Sequence, residues 1–155
     1  RIIFIGPDCR EDLSEPFFDE DICLFADWKA FAVQNKLKIR LGRWKVPGLP
    51  IAILVDFQDY YKDKNIIYGK LWEDFQVDSL HAYGDYDEAS MFSYASAKVV
   101  ESFYNYFGLK NKKVIYHGSV DTFPPSNGLT PGSEAGLAAP FACDRFPAGY
   151  RCRYQ

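Results

Sequence analysis

Residues 81 to 88, His81-Ala-Tyr83-Gly84-Asp85-Tyr86-Asp87-Glu88, crowd an imidazole, two phenols and three carboxylates into one short polar stretch. Carboxylates this close in sequence admit two chemistries. A pair flanking a glycosidic bond works as acid and base, or as acid and nucleophile. Acidic residues ahead of a helix instead cap it and meet the positive end of its dipole. An apolar stripe follows at once, Phe92, Ala95, Val99, Phe103 and Tyr106, which gives the capping role of Asp85, Asp87 and Glu88 the stronger local support. Gly84 permits a tight turn in either case. His81 reads as a surface loop residue.

Two further residues stand where α/β sheets meet ligands. Asp56 ends the apolar run Ile51-Ala52-Ile53-Leu54-Val55, a position at the carboxyl end of a strand that either faces a ligand or begins the next loop. His117 ends Lys113-Val114-Ile115-Tyr116 and suits a hydrogen bond to a ligand hydroxyl or to a loop carbonyl. Arg43 and Trp44 suit phosphate or sugar contact as well as a structural role at a strand end. No P-loop and no complete Gly-x-Gly-x-x-Gly is present, which removes the usual ATP and NAD readings. Cys9, Cys23, Cys143 and Cys152 form no Cys-x-x-Cys pair and have no histidine at ligand spacing, so free thiols are expected and a zinc site is not.

The elements that must position these residues follow from periodicity. Ile2-Ile3-Phe4-Ile5 is a short unbroken apolar run that stops at Gly6-Pro7-Asp8, as a buried parallel strand does. Leu24, Trp28, Phe31 and Ala32 share a helical face, with Lys36 at the helix end. From Lys36 to Trp44 the pattern alternates, Leu37, Ile39 and Leu41 against Lys38, Arg40 and Gly42, which is a half-buried strand. Pro47-Gly48-Leu49-Pro50 is a turn, Ile51 to Phe57 a buried strand, Ile66 to Val77 a helix, Asp87 to Phe107 a long helix stopped by Gly108, and Lys113 to His117 a last strand. This order predicts an α/β fold, partial and Rossmann-like, with a mainly parallel sheet and flanking helices. Residues 1–117 form that unit. Residues 118–155, rich in glycine and proline and without either periodicity, are expected to be an irregular or non-native tail.

Composition narrows the partners. The 155 residues are 48% hydrophobic and 25% charged, enough for one domain with a core, and the net charge of −3 gives no general attraction to nucleic acid. No apolar run reaches the roughly 18 to 20 residues of a membrane span, and the start is too short and too soon polar for a signal peptide. A cytoplasmic location is the expectation. Aromatic residues make up 17%, which suggests sugar-stacking platforms, but most fall on helical stripes and are expected to pack. A buried-looking strand at the very start suggests a segment of a longer polypeptide.

Five pieces in order, Ile2 to Asp8, Gly42-Arg43-Trp44, Pro50 to Asp56, Leu71-Trp72 and Tyr83 to Ala89, resemble the N-terminal domain of glycogen synthases. The likeness is to the eukaryotic-type branch that also occurs in Bacteroidetes-like bacteria, and it covers residues 1–117. The resemblance implies a retaining glucosyltransferase of the two-domain GT-B type. It would pass glucose from UDP-glucose or ADP-glucose to the non-reducing end of an α-1,4-glucan, with no metal or other cofactor. It further implies that the turn of Tyr83, Gly84 and Asp85 lies toward the sugar cleft and that His117 sits near the sugar. The family's Lys-Val-Gly-Gly loop would lie before Arg1, the pattern departs after His117, and most nucleotide contacts belong to a second domain. The chain is therefore expected to be catalytically incomplete alone. A non-catalytic α/β module binding glucan or a protein is the alternative. A flavin-binding or receiver-like domain, with Asp8 or Asp56 as phosphoacceptor, is a third reading.

Overall fold

The computed structural model describes residues 2–8, 17–82 and 86–112. The elements run β1 (Ile3–Pro7), β2 (Phe18–Glu20), α1 (Ala26–Gln34), β3 (Lys38–Trp44), β4 (Ile51–Asp56), a 3-10 helix (Gln58–Asp63), α2 (Lys64–Phe75), α3 (Tyr86–Tyr106) and a short 3-10 turn (Leu109–Asn111). One four-stranded sheet takes the order β1-β4-β3-β2. The fold is α/β.

The expected mainly parallel sheet is corrected here. Of the pairings among the described residues only β1 with β4 is parallel, in the register Ile3↔Ile51, while β3 with β4 and β2 with β3 are antiparallel. The connection explains it. Residues 45–50 are too few for a crossover, which needs about a dozen, so β3 and β4 must form a hairpin. Trp44 N–H donates to Pro50 O at 3.0 Å and Leu49 N–H to Val46 O at 2.9 Å, with Gly48 and Leu49 both at positive φ. The strand β2 has no counterpart in the periodicity. It pairs through Phe18, Asp19 and Glu20 and lies so close that a Cβ on Gly42 would strike the Asp19 carbonyl.

One face of the sheet carries the core. Ile39 and Leu41 meet Val55 and Ile53 in register, and Trp28 and Ala32 of α1 and Met91, Ala95 and Val99 of α3 close over them. This matches the expected stripes on both helices, except that Phe31 and Tyr106 sit at the margin and pack on each other with ring centroids 5.2 Å apart. Trp28 also meets Phe103 edge-on at 4.9 Å, and its indole N–H donates to Ser102 Oγ at 3.2 Å. The aromatic richness is thus largely packing. Ser96 is buried with no partner for its hydroxyl among the described residues.

α1 ends without a glycine. Lys36 adopts the left-handed region, φ 63°, while its N–H donates to Val33 O at 2.9 Å and Leu37 N–H donates to Ala32 O at 3.0 Å. This is a Schellman ending, with lysine where glycine is usual. Among the described residues no helix is long and apolar enough to cross a membrane. The expected strand from Lys113 to His117 and the boundary at residue 118 lie outside the described residues.

Candidate functional site

The parallel pair β1 and β4 sends both carboxyl ends to the same edge of the sheet, and the charged residues gather there. Asp8 extends the ladder by donating its N–H to Val55 O at 2.9 Å. Asp56 closes β4, and its Oδ1 accepts the Gln58 N–H at 2.9 Å, an Asx turn that starts the 3-10 helix. Of its two expected roles, the loop-starting one is therefore present. β3 runs the opposite way, so its first residues face the same edge, Lys38 opposite Asp56 and Arg40 two positions on along the same sheet face.

The side chains at this edge neutralise one another. Lys38 Nζ lies 2.6 Å from Asp59 Oδ2 and 3.7 Å from Asp56 Oδ2, and Lys62 Nζ lies 3.0 Å from Asp59 Oδ1. The hydrogen bonds from Lys38 and Lys62, and then their charges, pull the Asp59 carboxyl down to about 2. The same contacts raise the Lys38 ammonium above its ordinary value. Arg40 Nη1 lies 3.3 Å from Asp8 Oδ1, and Nε donates to Glu20 Oε2 at 3.1 Å. Its guanidinium also stands over the Phe18 ring, 5.3 Å from the centroid. A cleft of about 580 Å³ opens beside these groups, lined by Asp8, Lys36, Lys38, Arg40, Asp56 and Asp59 among others.

The start of α3 belongs to the same end of the molecule. Phe57, which follows Asp56, packs on Phe92 with centroids 5.8 Å apart, and Tyr60 packs on Tyr94 at 5.3 Å. Asp87 occupies the first turn, where a carboxylate suits the helix dipole. Its two oxygens accept from Lys64 Nζ and Tyr68 Oη, each at 2.6 Å. Lys64 first and Tyr68 second hold its carboxyl below the usual range, while burial and then the Asp87 bond push the Tyr68 phenol upward. Tyr86 Oη and Ser79 Oγ are hydrogen-bonded at 2.9 Å. This cluster ties α3 to α2.

Of the residues singled out in the sequence, Tyr83, Gly84, Asp85 and His117 lie outside the described residues. A carboxylate pair drawing on Asp85 lies outside them too. His81 is on the surface, its Nδ1 at 2.7 Å from Asp78 Oδ2. Arg43 has a structural part, Nη1 donating to Leu49 O at 3.1 Å to hold the hairpin turn. Trp44 and Phe4 meet edge-on at 5.4 Å on the sheet face away from the core, 40% and 42% exposed. Among the described residues no group of His, Cys, Asp or Glu is placed to hold a metal ion, and Cys23 is a free, exposed thiol.

Of the group Lys38, Arg40, Asp8 and Asp59, the sequence singles out Asp8 alone, as a phosphoacceptor of the receiver-like reading. Alternation had placed Lys38 and Arg40 on one face of β3, but their partners depend on strand order. Fixed ion pairs at the end of a sheet can bind a ligand through hydrogen bonds. Asp8 and Asp56 each already have a cation within 4 Å. Against known protein families and curated proteins, the chain matches no family model and no curated protein.

Proposed function

We propose that this chain is part of a glucosyltransferase of the glycogen synthase type. It contributes a partial, Rossmann-like N-terminal unit that handles nucleotide-glucose and α-glucan, and does not transfer glucose alone. One observation carries the reading. Ile2 to Asp8 and Pro50 to Asp56, the two longest apolar pieces of the resemblance, are adjacent parallel partners whose carboxyl ends, Asp8 and Asp56, flank one cleft. Ligands of open α/β sheets bind at that edge. The start of α3, which follows Tyr83-Gly84-Asp85 in sequence, lies at the same edge through the Phe57 and Phe92 contact. In this reading Tyr83, Gly84, Asp85 and His117 contact sugar.

Saturation-transfer NMR on the intact chain with UDP-glucose, ADP-glucose and maltoheptaose tests the proposal. Saturable transfer to the glucan or to a nucleotide-glucose, with no labelled glucose incorporated into glycogen, is the expected result. Silence from all these ligands in a folded sample contradicts it.

The alternative, a non-catalytic glucan- or protein-binding module, draws on the exposed Phe4 and Trp44 pair, an aromatic surface away from the cleft. Glucan binding abolished by Trp44→Ala, with no binding of either nucleotide-glucose, favours that reading instead.

A further inference from the structure

The sheet order ends on β1, so one side of β1 has no strand beside it among the described residues. In an extended strand the N–H and C=O of one residue point to one side and those of the next residue to the other. Asp8 N–H donates to Val55 O of β4, which places Asp8, and with it Gly6 and Phe4, on the paired side. Ile3, Ile5 and Pro7 then turn to the open side. They offer it two N–H donors and three carbonyl acceptors, with the proline, which has no donor, at the last position.

Strand edges that face water usually carry a lysine, an inward charge or a bulge. β1 carries none of these, and its register with β4 is unbroken. Its side chains are those of an interior parallel strand, apolar toward both faces. Ile3 and Ile5 pack against the core, and Phe4 packs on Trp44 behind the sheet.

The course of α3 brings the chain back to this edge. Phe92, in its second turn, meets Phe57 where β4 ends, and Phe103 meets Trp28 in the first turn of α1. Only residues 35–37 separate α1 from β3, so the first turn of α1 lies toward the end of the sheet where β3 finishes and, by register, β4 and β1 begin. After the closing 3-10 turn Lys112 leaves in the extended conformation, φ −108° and ψ 143°. The run that follows it, Lys113-Val114-Ile115-Tyr116-His117, has the pattern of a strand and, like β1, five residues. Residues 57–112 exceed the roughly dozen that a parallel crossover needs.

We propose that the open edge of β1 is the docking site of residues 113–117, which enter it parallel to β1 and make it an interior strand. Both segments start at the same end of the sheet, so His117 finishes beside Pro7, at the edge of Asp8 and Asp56. The pairing rests on strand geometry and stands whether or not the chain handles nucleotide-glucose.

Amide exchange and cross-strand nuclear Overhauser contacts in the isotope-labelled full chain test it. Contacts from the amides of Ile3 and Ile5 to residues 113–117, advancing in the same direction along both segments, are expected, with both amides exchanging slowly. Ile115→Pro should speed exchange at Ile3 and Ile5 about tenfold, while Leu41 and Ile53 stay protected and report a folded sheet. Rapid exchange at Ile3 and Ile5 in the unaltered chain overturns the proposal. So do contacts of the open edge with a second copy or with any other segment, and so does unchanged exchange at both residues in the folded variant. The first two results need no variant, so a variant that fails to fold leaves the test intact.

Discussion

Arg40 and Asp8 are ion-paired at 3.3 Å across β4, so one guanidinium on β3 holds the end of β1 over the strand between them. Both side chains are little exposed, 15% and 10%, and Arg40 also binds Glu20 of β2. A charge buried to this degree costs much when its partner is removed. Arg40→Met is expected to lower stability by about 2 to 3 kcal/mol in urea unfolding, and adding Asp8→Asn should restore part of the loss. Additive losses in the double variant would show that the pair is not coupled.

Gly42 is held by packing. A Cβ there would meet the Asp19 carbonyl and the Phe18 ring, so Gly42→Ala must push β2 off β3. A loss of about 1 to 3 kcal/mol is expected, together with faster amide exchange at residues 18–20. Unchanged exchange would contradict this. The same contact explains a glycine in the Gly42-Arg43-Trp44 piece without any ligand.

Ser96 of α3 buries a hydroxyl that has no partner among the described residues. Ser96→Ala should raise stability by about 1 kcal/mol, since the desolvation cost goes and helix propensity improves. A decrease would mean that the hydroxyl is bonded in solution.

The Asp59 carboxyl, held down to about 2 from an ordinary 3.8, gives a pH signature. A carboxyl whose folded value is depressed adds stability above its unfolded value, and that stability is lost as pH falls through the folded one. The window is therefore about pH 4 down to pH 2. Lys38→Met should flatten the acid limb there in a series of thermal melts. An identical limb in the variant would show that the pair is screened by solvent.

How much was legible follows from which signals are local. The α3 stripe and the alternation of β3 depend on residues a few positions apart, and the buried faces of Trp28, Ala32, Ala95 and Val99 appear as read. The antiparallel β3 and β4 pair was also written in the sequence, since residues 45–50 cannot cross over, but strand and helix alternation drew the reading toward a parallel sheet. β2 had no readable signal, because three residues with one buried side chain carry no period. The pairing of Asp8 with Arg40 spans 32 residues and arises from strand order, which no local pattern encodes. Tyr83, Gly84, Asp85 and His117 entered through the family resemblance, and the described residues meet that reading only at its border, where Tyr86 and Asp87 begin α3.

Co-sedimentation of the chain with glycogen, competed by maltoheptaose, tests the central claim most directly. The account predicts saturable co-sedimentation that maltoheptaose abolishes. A folded chain that stays in the supernatant at every glycogen concentration would contradict it.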